Sequence, residues 1–415
     1  NPSGRDDNAN GAIILDLTNG IIIFKRWIMI QSYVENDINI RLERIGAALA
    51  SNGYDAILIT SNANLYYTAG RVFSGYTYIC ADGSVTYFVK RPVGLAGDNV
   101  QYIRKPEQIA DLLTQKPGKI AFELDSLTVN DFARLSKVFG ESEIVDGSSI
   151  LRKLRSVKTA YEIGKMKESG VKHDEAYRHI HRIYRDGMTD IELQIEVERL
   201  LRMEGSLGIF RIHGESMEIF MGNVLCGDNA DSPSPYDFAM GGAGLDASLP
   251  VGGNGTPIKP GMTVMVDMCG NFNGYMTDMT RVFYVGKLDE MAKKAHETSI
   301  AIHHRLVKEG KPGVPASRLY DIAMEMTIEA GLEDFFMGHK QKAGYIGHGV
   351  GIEVNEAPVL APRSRDILES GNVIALEPKY VIPHVGAVGI ESTYVVTDNG
   401  LECITNYPEE IAELY

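Results

Sequence analysis

Five residues in the second half of the chain have the side chains needed to hold divalent cations. They are Asp267, Asp278, His348, Glu377 and Glu391. Oxygen-rich ligation with a single nitrogen suits manganese, iron, cobalt or zinc better than a metal that prefers thiolates. Two such cations side by side would activate a water molecule as nucleophile and stabilise a developing oxyanion. The residue types therefore predict a metalloenzyme.

The two aspartates lie on either side of a segment that is predicted to form a β-hairpin. Gly and Asn residues are concentrated at 270–274, and they supply the positive φ angles that such a turn needs. A hairpin that is symmetric about the bond between residues 272 and 273 places Asp267 directly opposite Asp278, on one face of the sheet. Two like charges there would destabilise the sheet, and a bound cation would reverse that effect.

The two glutamates are spaced for a second hairpin of the same kind. If this hairpin is centred on His384, Glu377 faces Glu391 across the sheet. His348 lies in the glycine-rich segment 344–351, where close backbone packing leaves the imidazole open to a ligand. A single histidine in this setting is more often structural, but the presence of four carboxylates favours a ligand role.

The composition is that of an ordinary globular protein and argues against several classes of partner. The chain has 415 residues, of which 44% are hydrophobic and 23% are charged, and this is enough for two domains with sizeable cores. Its formal net charge of -14 argues against binding to nucleic acid or to an anionic membrane. The four cysteines form no CxxC pair, which argues against a disulfide framework or a zinc–thiolate site. Reduced thiols predict a cytoplasmic protein.

The chain is predicted to comprise an extension and two domains. The apolar segment 12–24 is too short to span a membrane and contains Asp16, so residues 1–28 are interpreted as an extension outside the fold. Residues 29–154 alternate between helical and strand-like segments, which predicts a mixed sheet covered by helices. In this domain we expect helices at 37–52, 106–114 and 129–138, and strands at 56–60, 76–80, 85–89 and 119–123.

Residues 151–185 are predicted to form a charged helical stretch that bridges the two domains. The second domain covers residues 155–415 and contains all ten histidines of the chain. In this domain we expect helices at 189–204, 288–309 and 315–331, and strands at 263–268, 275–285, 372–381 and 388–397.

Residues 155–415 resemble the pita-bread metallohydrolases, and residues 29–154 resemble the N-terminal domain of the creatinase and aminopeptidase P branch of that family. The matching motifs are Asp267-Met-Cys-Gly, Gly274-Tyr-Met-Thr-Asp278-Met-Thr-Arg281, Gly347-His348-Gly349-Val350-Gly351, Glu377-Pro378 and Ile390-Glu391. The resemblance implies an α/β (α+β) fold, with a creatinase-like N-terminal domain followed by a C-terminal pita-bread catalytic domain.

The resemblance also implies two divalent metal ions, with Mn²⁺ expected and Co²⁺, Zn²⁺ or Fe²⁺ as alternatives. By analogy with the family, Asp278 and Glu391 would bridge both ions, and Asp267 would bind one of them. His348 and Glu377 would bind the other ion, and Glu377 would also act as the general base.

Three positions depart from the family pattern. Peptidases of the family carry a histidine where this chain has Asn355, and a second histidine in a loop that here spans residues 227–235 without one. Proline-specific members tend to have an arginine where this chain has Gly389. The candidates to replace the missing histidines are His384, His339 and His213. The amide of Asn355 could also donate a hydrogen bond to the substrate.

The sequence is compatible with three functions. The first is a metal-dependent aminopeptidase or dipeptidase of Xaa-Pro type that acts on short peptides as a cytoplasmic homodimer. The second is a divergent relative that acts on a small non-peptide metabolite, as creatinase or a lyase of this fold does. The third is a non-catalytic binding protein, which the complete set of ligands disfavours. We predict the first.

Overall fold

The structure is a computed structural model that describes residues 22–214, 220–236 and 238–415. Most of the predicted extension, residues 1–21, lies outside the described residues, and residues 22–28 begin the first helix. That helix spans Ile22–Ser51, so it begins well before the helix predicted at 37–52. No helix in the described part of the chain is long and apolar enough to cross a membrane.

The first part of the chain forms a six-stranded mixed sheet with helices on both faces. The helices are α1 (Ile22–Ser51), α2 (Asn62–Ala69), α3 (Ile109–Leu112), α4 (Val129–Phe139) and α5 (Ser148–Ser156), and a 3-10 helix spans Pro106–Gln108. The strands are β1 (Ala56–Ile59), β2 (Ser74–Cys80), β3 (Val85–Arg91), β4 (Val100–Tyr102), β5 (Lys119–Phe122) and β6 (Glu143–Asp146), in the spatial order β4-β3-β2-β1-β5-β6. The predicted mixed sheet is confirmed, whereas the predicted helix at 106–114 is only the 3-10 helix and the short α3.

The central strand β1 shows why this sheet is covered on both faces. All four of its residues are buried. Ile57 and Ile59 belong to the same apolar cluster as Ile45 of α1, while Leu58 packs in a second cluster with Phe139 of α4. Successive side chains of a strand point to opposite faces, so an uninterrupted apolar run needs a helix on each side.

The second part of the chain forms two further sheets and a two-stranded ribbon between helices. The helices are α6 (Ala160–Tyr177), α7 (Ile180–Ile183), α8 (Asp190–Met203), α9 (Glu290–Glu309) and α10 (Ala316–Glu329). The strands are β7 (Gly222–Cys226), β8 (Thr263–Asn271), β9 (Met276–Val285), β10 (Gly347–Gly349), β11 (Glu356–Val359), β12 (Val373–Leu376), β13 (Lys379–Ile382), β14 (Gly386–Gly389), β15 (Ser392–Thr397), β16 (Gly400–Cys403) and β17 (Ala412–Leu414). One sheet has the order β17-β9-β8-β7, the other has the order β11-β10-β12-β15-β16, and β13 and β14 form the ribbon.

The long helices predicted in this part are confirmed as α8, α9 and α10, and the helical stretch predicted at 151–185 is helical but not continuous. It is divided into α5, α6 and α7. The break before α6 is set by a capping box, in which the Thr159 side chain accepts from the Glu162 backbone and the Glu162 side chain accepts from the Thr159 backbone. Such a cap satisfies the free N–H groups of a new helix and so favours a start at this point.

Helices enclose the sheet that contains β8. Val264 and Val266 pack in one cluster with Tyr177 of α6, whereas Met265 packs in another with Ala295 of α9. Asp267 lies two residues after Met265 along β8, so the two side chains point to the same face of the sheet. Its carboxylate therefore points away from α6 and α8.

The hairpin of β8 and β9 carries both aspartates in a register that differs from the predicted one. Asp267 pairs with Thr280, and Asp278 pairs with Cys269, so the prediction that the aspartates face each other directly is wrong. The turn is displaced because Gly274, with a φ of +91°, provides the left-handed conformation at its centre. Asp267 and Asp278 nevertheless stay on the same face of the sheet, as diagonal neighbours.

The predicted hairpin centred on His384 is confirmed. The strands β13 and β14 pair around this residue, and β12 and β15 continue in the same register. Glu377 and Glu391 occupy opposing positions between these two ladders. The continuous strands predicted at 372–381 and 388–397 are therefore each split in two at the glutamate.

A buried ion-pair cluster joins the two parts of the chain. Arg155 of α5 contacts the carboxylates of Glu353 and Glu356, and Lys158 Nζ lies 2.9 Å from Glu356 Oε2. Burial raises the pKa of Glu356, but Arg155 and Lys158 outweigh this effect and lower the pKa to about 2. Glu356 is thus ionised, and its burial depends on these two cations.

We predict that Arg155→Met lowers the free energy of unfolding by about 3–5 kcal/mol, because it leaves buried carboxylates without their main partner. Urea unfolding followed by circular dichroism measures the change. Arg134→Met is the matched control, since Arg134 forms an exposed ion pair with Glu107. It should change the free energy of unfolding far less. Equal losses in the two variants would contradict the structural role of the buried cluster.

Candidate metal centre

The predicted ligands converge where the two larger sheets of the second part meet. Asp267 and Asp278 lie on β8 and β9, His348 lies on β10, and Glu377 and Glu391 follow β12 and precede β15. Thr280 of β9 and Glu391 exchange backbone hydrogen bonds of 3.1 and 3.3 Å, which joins the sheets at this point. All five side chains line one cavity. We call these four carboxylates and one imidazole the cage.

Close backbone packing beside His348 requires glycine on both sides. The strand β10 lies between β11 and β12. A Cβ atom on Gly347 would lie 2.3 Å from the Ala375 carbonyl oxygen, and one on Gly349 would lie 2.1 Å from the Ala357 carbonyl oxygen. The two glycines allow the three strands to approach, and they leave His348 as the side chain that β10 presents to the cage.

Asp278, His348 and Glu391 form a compact group of donors. One donor atom from each lies within 4.8 Å of the other two, a spacing that suits a single metal ion. His348 Nε2 also lies 3.4 Å from Glu377 Oε1. His348 Nδ1 lies 3.2 Å from the Gly349 carbonyl oxygen, so that Nδ1–H can donate there and leave the Nε2 lone pair for a metal. This donor set fits a divalent cation with a preference for oxygen ligands.

A lysine that the sequence analysis missed fills the other side of the cage. Lys379 Nζ lies 3.0 Å from Asp267 Oδ2. It also lies 2.8 Å from Glu377 Oε2 and 2.9 Å from Glu391 Oε2, and its side chain is 0% exposed. The available signal was a lysine placed directly after Glu377 and Pro378, at the start of an apolar run. Lysine is almost never fully buried unless it is paired, so a buried lysine at position 379 predicts carboxylate partners.

The cage holds more negative charge than its own cations balance. Burial, followed by repulsion from Glu391, raises the pKa of Asp278 well above its usual range. Burial also raises the pKa of Glu391 to about 8. Burial acts in the same direction on Glu377, but Lys379 and His348 together outweigh it and lower the pKa of Glu377 to about 2. Glu391 therefore holds a proton at neutral pH, and Asp278 keeps its proton to a higher pH than usual, unless a further cation replaces these protons, as a bound metal ion would.

A cavity of about 410 Å³ opens onto the cage. Its walls include the apolar side chains of Phe210, Ile212, Met221, Phe238, Val354 and Val359. A few polar side chains interrupt this surface: His213, Asn223, Tyr345 and Asn355. A concave apolar surface with a small number of polar groups is typical of a site for a small ligand or a short peptide.

Asn355 lines the cavity, but both ends of its amide are bonded to the backbone of His213. Its Oδ1 accepts from His213 N at 2.8 Å, and its Nδ2 donates to the His213 carbonyl oxygen at 2.6 Å. Asn355 thus holds His213 at the cavity wall, where His213 Nε2 lies 2.9 Å from Arg152 Nη1.

His339 and His384 lie elsewhere. His339 Nδ1 is 3.0 Å from Asp231 Oδ2, and His384 lies at the tip of the turn between β13 and β14, with 88% of its side chain exposed beside Asp228. Neither residue lines the cavity that opens onto the cage. The catalytic roles that the sequence predicts for these two histidines stay predictions.

Two family models match the sequence, one in each part of the chain. The model described as Metallopeptidase family M24 matches residues 164–398, and the model described as Creatinase/Prolidase N-terminal domain matches residues 41–157. Among curated relatives, the chain is 29% identical over 381 residues to the uncharacterized peptidase YqhT of Bacillus subtilis. It is 28% identical over 380 residues to an Xaa-Pro dipeptidase of Pyrococcus furiosus. Each alignment covers 89% of this chain and 99% of the relative.

Solved structures show the same architecture. An Xaa-Pro dipeptidase from Bacillus anthracis superposes with a TM-score of 0.76 and 26% identity, covering 91% of this chain and 100% of that one. An X-Pro aminopeptidase from Thermotoga maritima superposes with a TM-score of 0.73 and 23% identity, covering 87% of this chain and 98% of that one, and this likeness concerns the fold alone. The predicted fold, a creatinase-like domain followed by a pita-bread domain, is confirmed.

We predict that His348→Ala weakens Mn²⁺ binding by more than about 10-fold, because it removes the nitrogen donor while the carboxylates remain. Isothermal titration calorimetry of chelator-stripped protein measures the affinity. His339→Ala, which removes an imidazole outside the cavity, is the control and should leave the affinity unchanged. An unaltered affinity in His348→Ala would show that the ion binds elsewhere.

Proposed function

The chain belongs to metallopeptidase family M24, and from this premise we propose that it hydrolyses short peptides of Xaa-Pro type. The observation that carries the proposal is a cage of four carboxylates and one imidazole that lines a mostly apolar cavity. The Xaa-Pro dipeptidases of Pyrococcus furiosus and Bacillus anthracis support a peptide substrate over a small non-peptide metabolite.

The residues of the cage have complementary roles in this proposal. A divalent cation held by Asp278, His348 and Glu391 would polarise the scissile carbonyl and supply the nucleophilic water. Glu377 is ionised beside these donors, so it can accept a proton as the general base that the sequence predicts. Thr280 Oγ1 donates to Glu391 Oε2 at 2.8 Å and fixes the orientation of that carboxylate.

The cavity suits a peptide bond that precedes proline. The nitrogen of such a bond carries no hydrogen, so the site need not provide an acceptor for it. The apolar side chains of Phe210, Ile212 and Val354 offer a surface for the proline ring. The volume of about 410 Å³ suits a short peptide.

His213 is the residue that best replaces the histidines expected from the family. It lines the cavity, and Asn355 and Arg152 hold it in place. An imidazole at the wall can donate a hydrogen bond to the oxygen on which charge develops. Asn355 then acts as a positioning residue, since its amide is already bonded to the His213 backbone.

Several finer features belong to the same proposal. Manganese is the expected ion, because the donors are mostly carboxylate oxygens. The second ion that the sequence predicts would need Asp267 and Glu391, and both of these carboxylates also contact Lys379. We also propose that the protein is a cytoplasmic homodimer without nucleic-acid or membrane partners.

We expect Mn²⁺-loaded protein to release free amino acids from Xaa-Pro dipeptides and to cleave matched Xaa-Ala dipeptides more slowly. Mass spectrometry of a dipeptide and tripeptide panel identifies the products. Glu377→Gln should lower kcat by at least about 100-fold, because it removes the general base. If the metal-loaded protein cleaves no member of the panel, the proposed function is wrong.

We further predict that His213→Ala lowers kcat by about 100-fold, the usual effect of losing one donor to the developing oxyanion. His384→Ala and His339→Ala are the controls, and steady-state kinetics with the best dipeptide compares all three. Equal activity of His213→Ala and the two controls would remove His213 from the mechanism. A large loss in either control would instead restore the role that the sequence predicts for that residue.

A further inference from the structure

We infer that Lys379 takes the place of one of the two metal ions, so that the chain binds one divalent ion beside a fixed ammonium group. The inference deepens the proposed function and rests on it for the presence of a metal. It divides the cage into residues that bind the ion and residues that bind the lysine.

The ammonium group lies where three carboxylates of the cage converge. Lys379 Nζ has one oxygen of each of Asp267, Glu377 and Glu391 within 3.0 Å. An ammonium has three N–H donors, and each of them has a charged acceptor here. Since Lys379 is fully buried, no water competes for these contacts, and the group acts as a resident cation.

The backbone fixes Lys379 in this position. Its carbonyl oxygen accepts from Met337 N at 2.9 Å, and it pairs with Gly389 across the ribbon of β13 and β14. The next residue, Tyr380, packs in the apolar core. Because successive side chains of a strand point to opposite sides, burying Tyr380 in the core directs Lys379 towards the cage.

The glycine opposite Lys379 is part of the same arrangement. Gly389 has a φ of +117°, and a Cβ atom on it would lie 2.7 Å from the Pro378 carbonyl oxygen and 2.9 Å from Lys379 Cα. A side chain at position 389 would push away the strand that carries the lysine. Lys379 in the cage and Gly389 are therefore linked features. Gly389 stands where the family tends to have arginine.

The donors around the ion overlap with those around the lysine only at Glu377 and Glu391. Glu377 is shared, because its Oε2 lies 2.8 Å from Lys379 Nζ and its Oε1 lies 3.4 Å from His348 Nε2. Asp278, His348 and Glu391 keep one donor atom each within 4.8 Å of the others. Asp267 contacts the lysine and is absent from that compact group. The ion thus belongs with Asp278 and His348, and the lysine belongs with Asp267.

The charges agree with this division. One divalent ion and one ammonium nearly balance the four carboxylates of the cage. The lysine thus supplies part of the positive charge that a second divalent ion would otherwise bring to the buried site.

The test measures the number of bound ions and needs no substrate. Full-length, chelator-stripped protein is equilibrated with excess Mn²⁺, and elemental analysis gives the number of ions per chain. We expect one ion in the wild type and two in Lys379→Met, with magnetic coupling between the two ions visible by electron paramagnetic resonance. Lys167→Met removes an exposed lysine paired with Glu402 and should still bind one ion.

Two carboxylate variants keep the test decisive if Lys379→Met does not fold. Asp267→Asn should leave the Mn²⁺ affinity within about 3-fold of the wild type, whereas Asp278→Asn should weaken it by more than about 10-fold. Two ions or none in the wild type, one ion in a folded Lys379→Met, or equal losses in the two aspartate variants would each overturn the inference.

The outcome is independent of peptide cleavage. Failure to hydrolyse any peptide would refute the proposed function and leave the ion count intact. Two ions in an active wild-type enzyme would refute the role of Lys379 and leave the proposed function intact.

Discussion

The burial of four carboxylates in one small space is the constraint on which the rest of the site depends. Like charges repel strongly where water is excluded, so each carboxylate needs a cation or a proton nearby. Lys379 provides one such charge from within the chain. Burial and repulsion from neighbouring carboxylates still raise the pKa values of Asp278 and Glu391, so the site favours a further cation, which a divalent ion would supply.

The backbone meets this constraint by packing the strands beside His348 closely and by joining two sheets at the cage. Glycines on either side of His348 allow β10 to lie between its neighbours, and the paired backbone hydrogen bonds of Thr280 and Glu391 join the sheets. The helices that cover these sheets bury their apolar residues in continuous clusters. The positions of the donors are therefore set by packed strands rather than by loops, which gives the precision that a metal site needs.

Much of this arrangement could be predicted from the sequence, and the failures have physical causes. The hairpin around His384 was placed correctly because its register follows from the spacing of two apolar runs. The register of the aspartate hairpin was predicted wrongly because several Gly and Asn residues could have formed its turn. In the structure Gly274 adopts the left-handed conformation, and the Tyr66 hydroxyl donates to the Asn273 carbonyl oxygen. Lys379 was missed because the spacing of the candidate metal ligands does not indicate that a side chain of the protein supplies one of the cations.

The lysine also bears on how a chain that lacks two expected histidines can act as a peptidase. Catalytic sites with a single ion commonly use three protein ligands and leave a position open for water or substrate. Asp278, His348 and Glu391 have that form. Glu377 lies between this group and the ammonium, which keeps it ionised and ready to accept a proton. A fixed ammonium can thus take over the charge balance of one ion, while the Lewis-acid chemistry stays with the other.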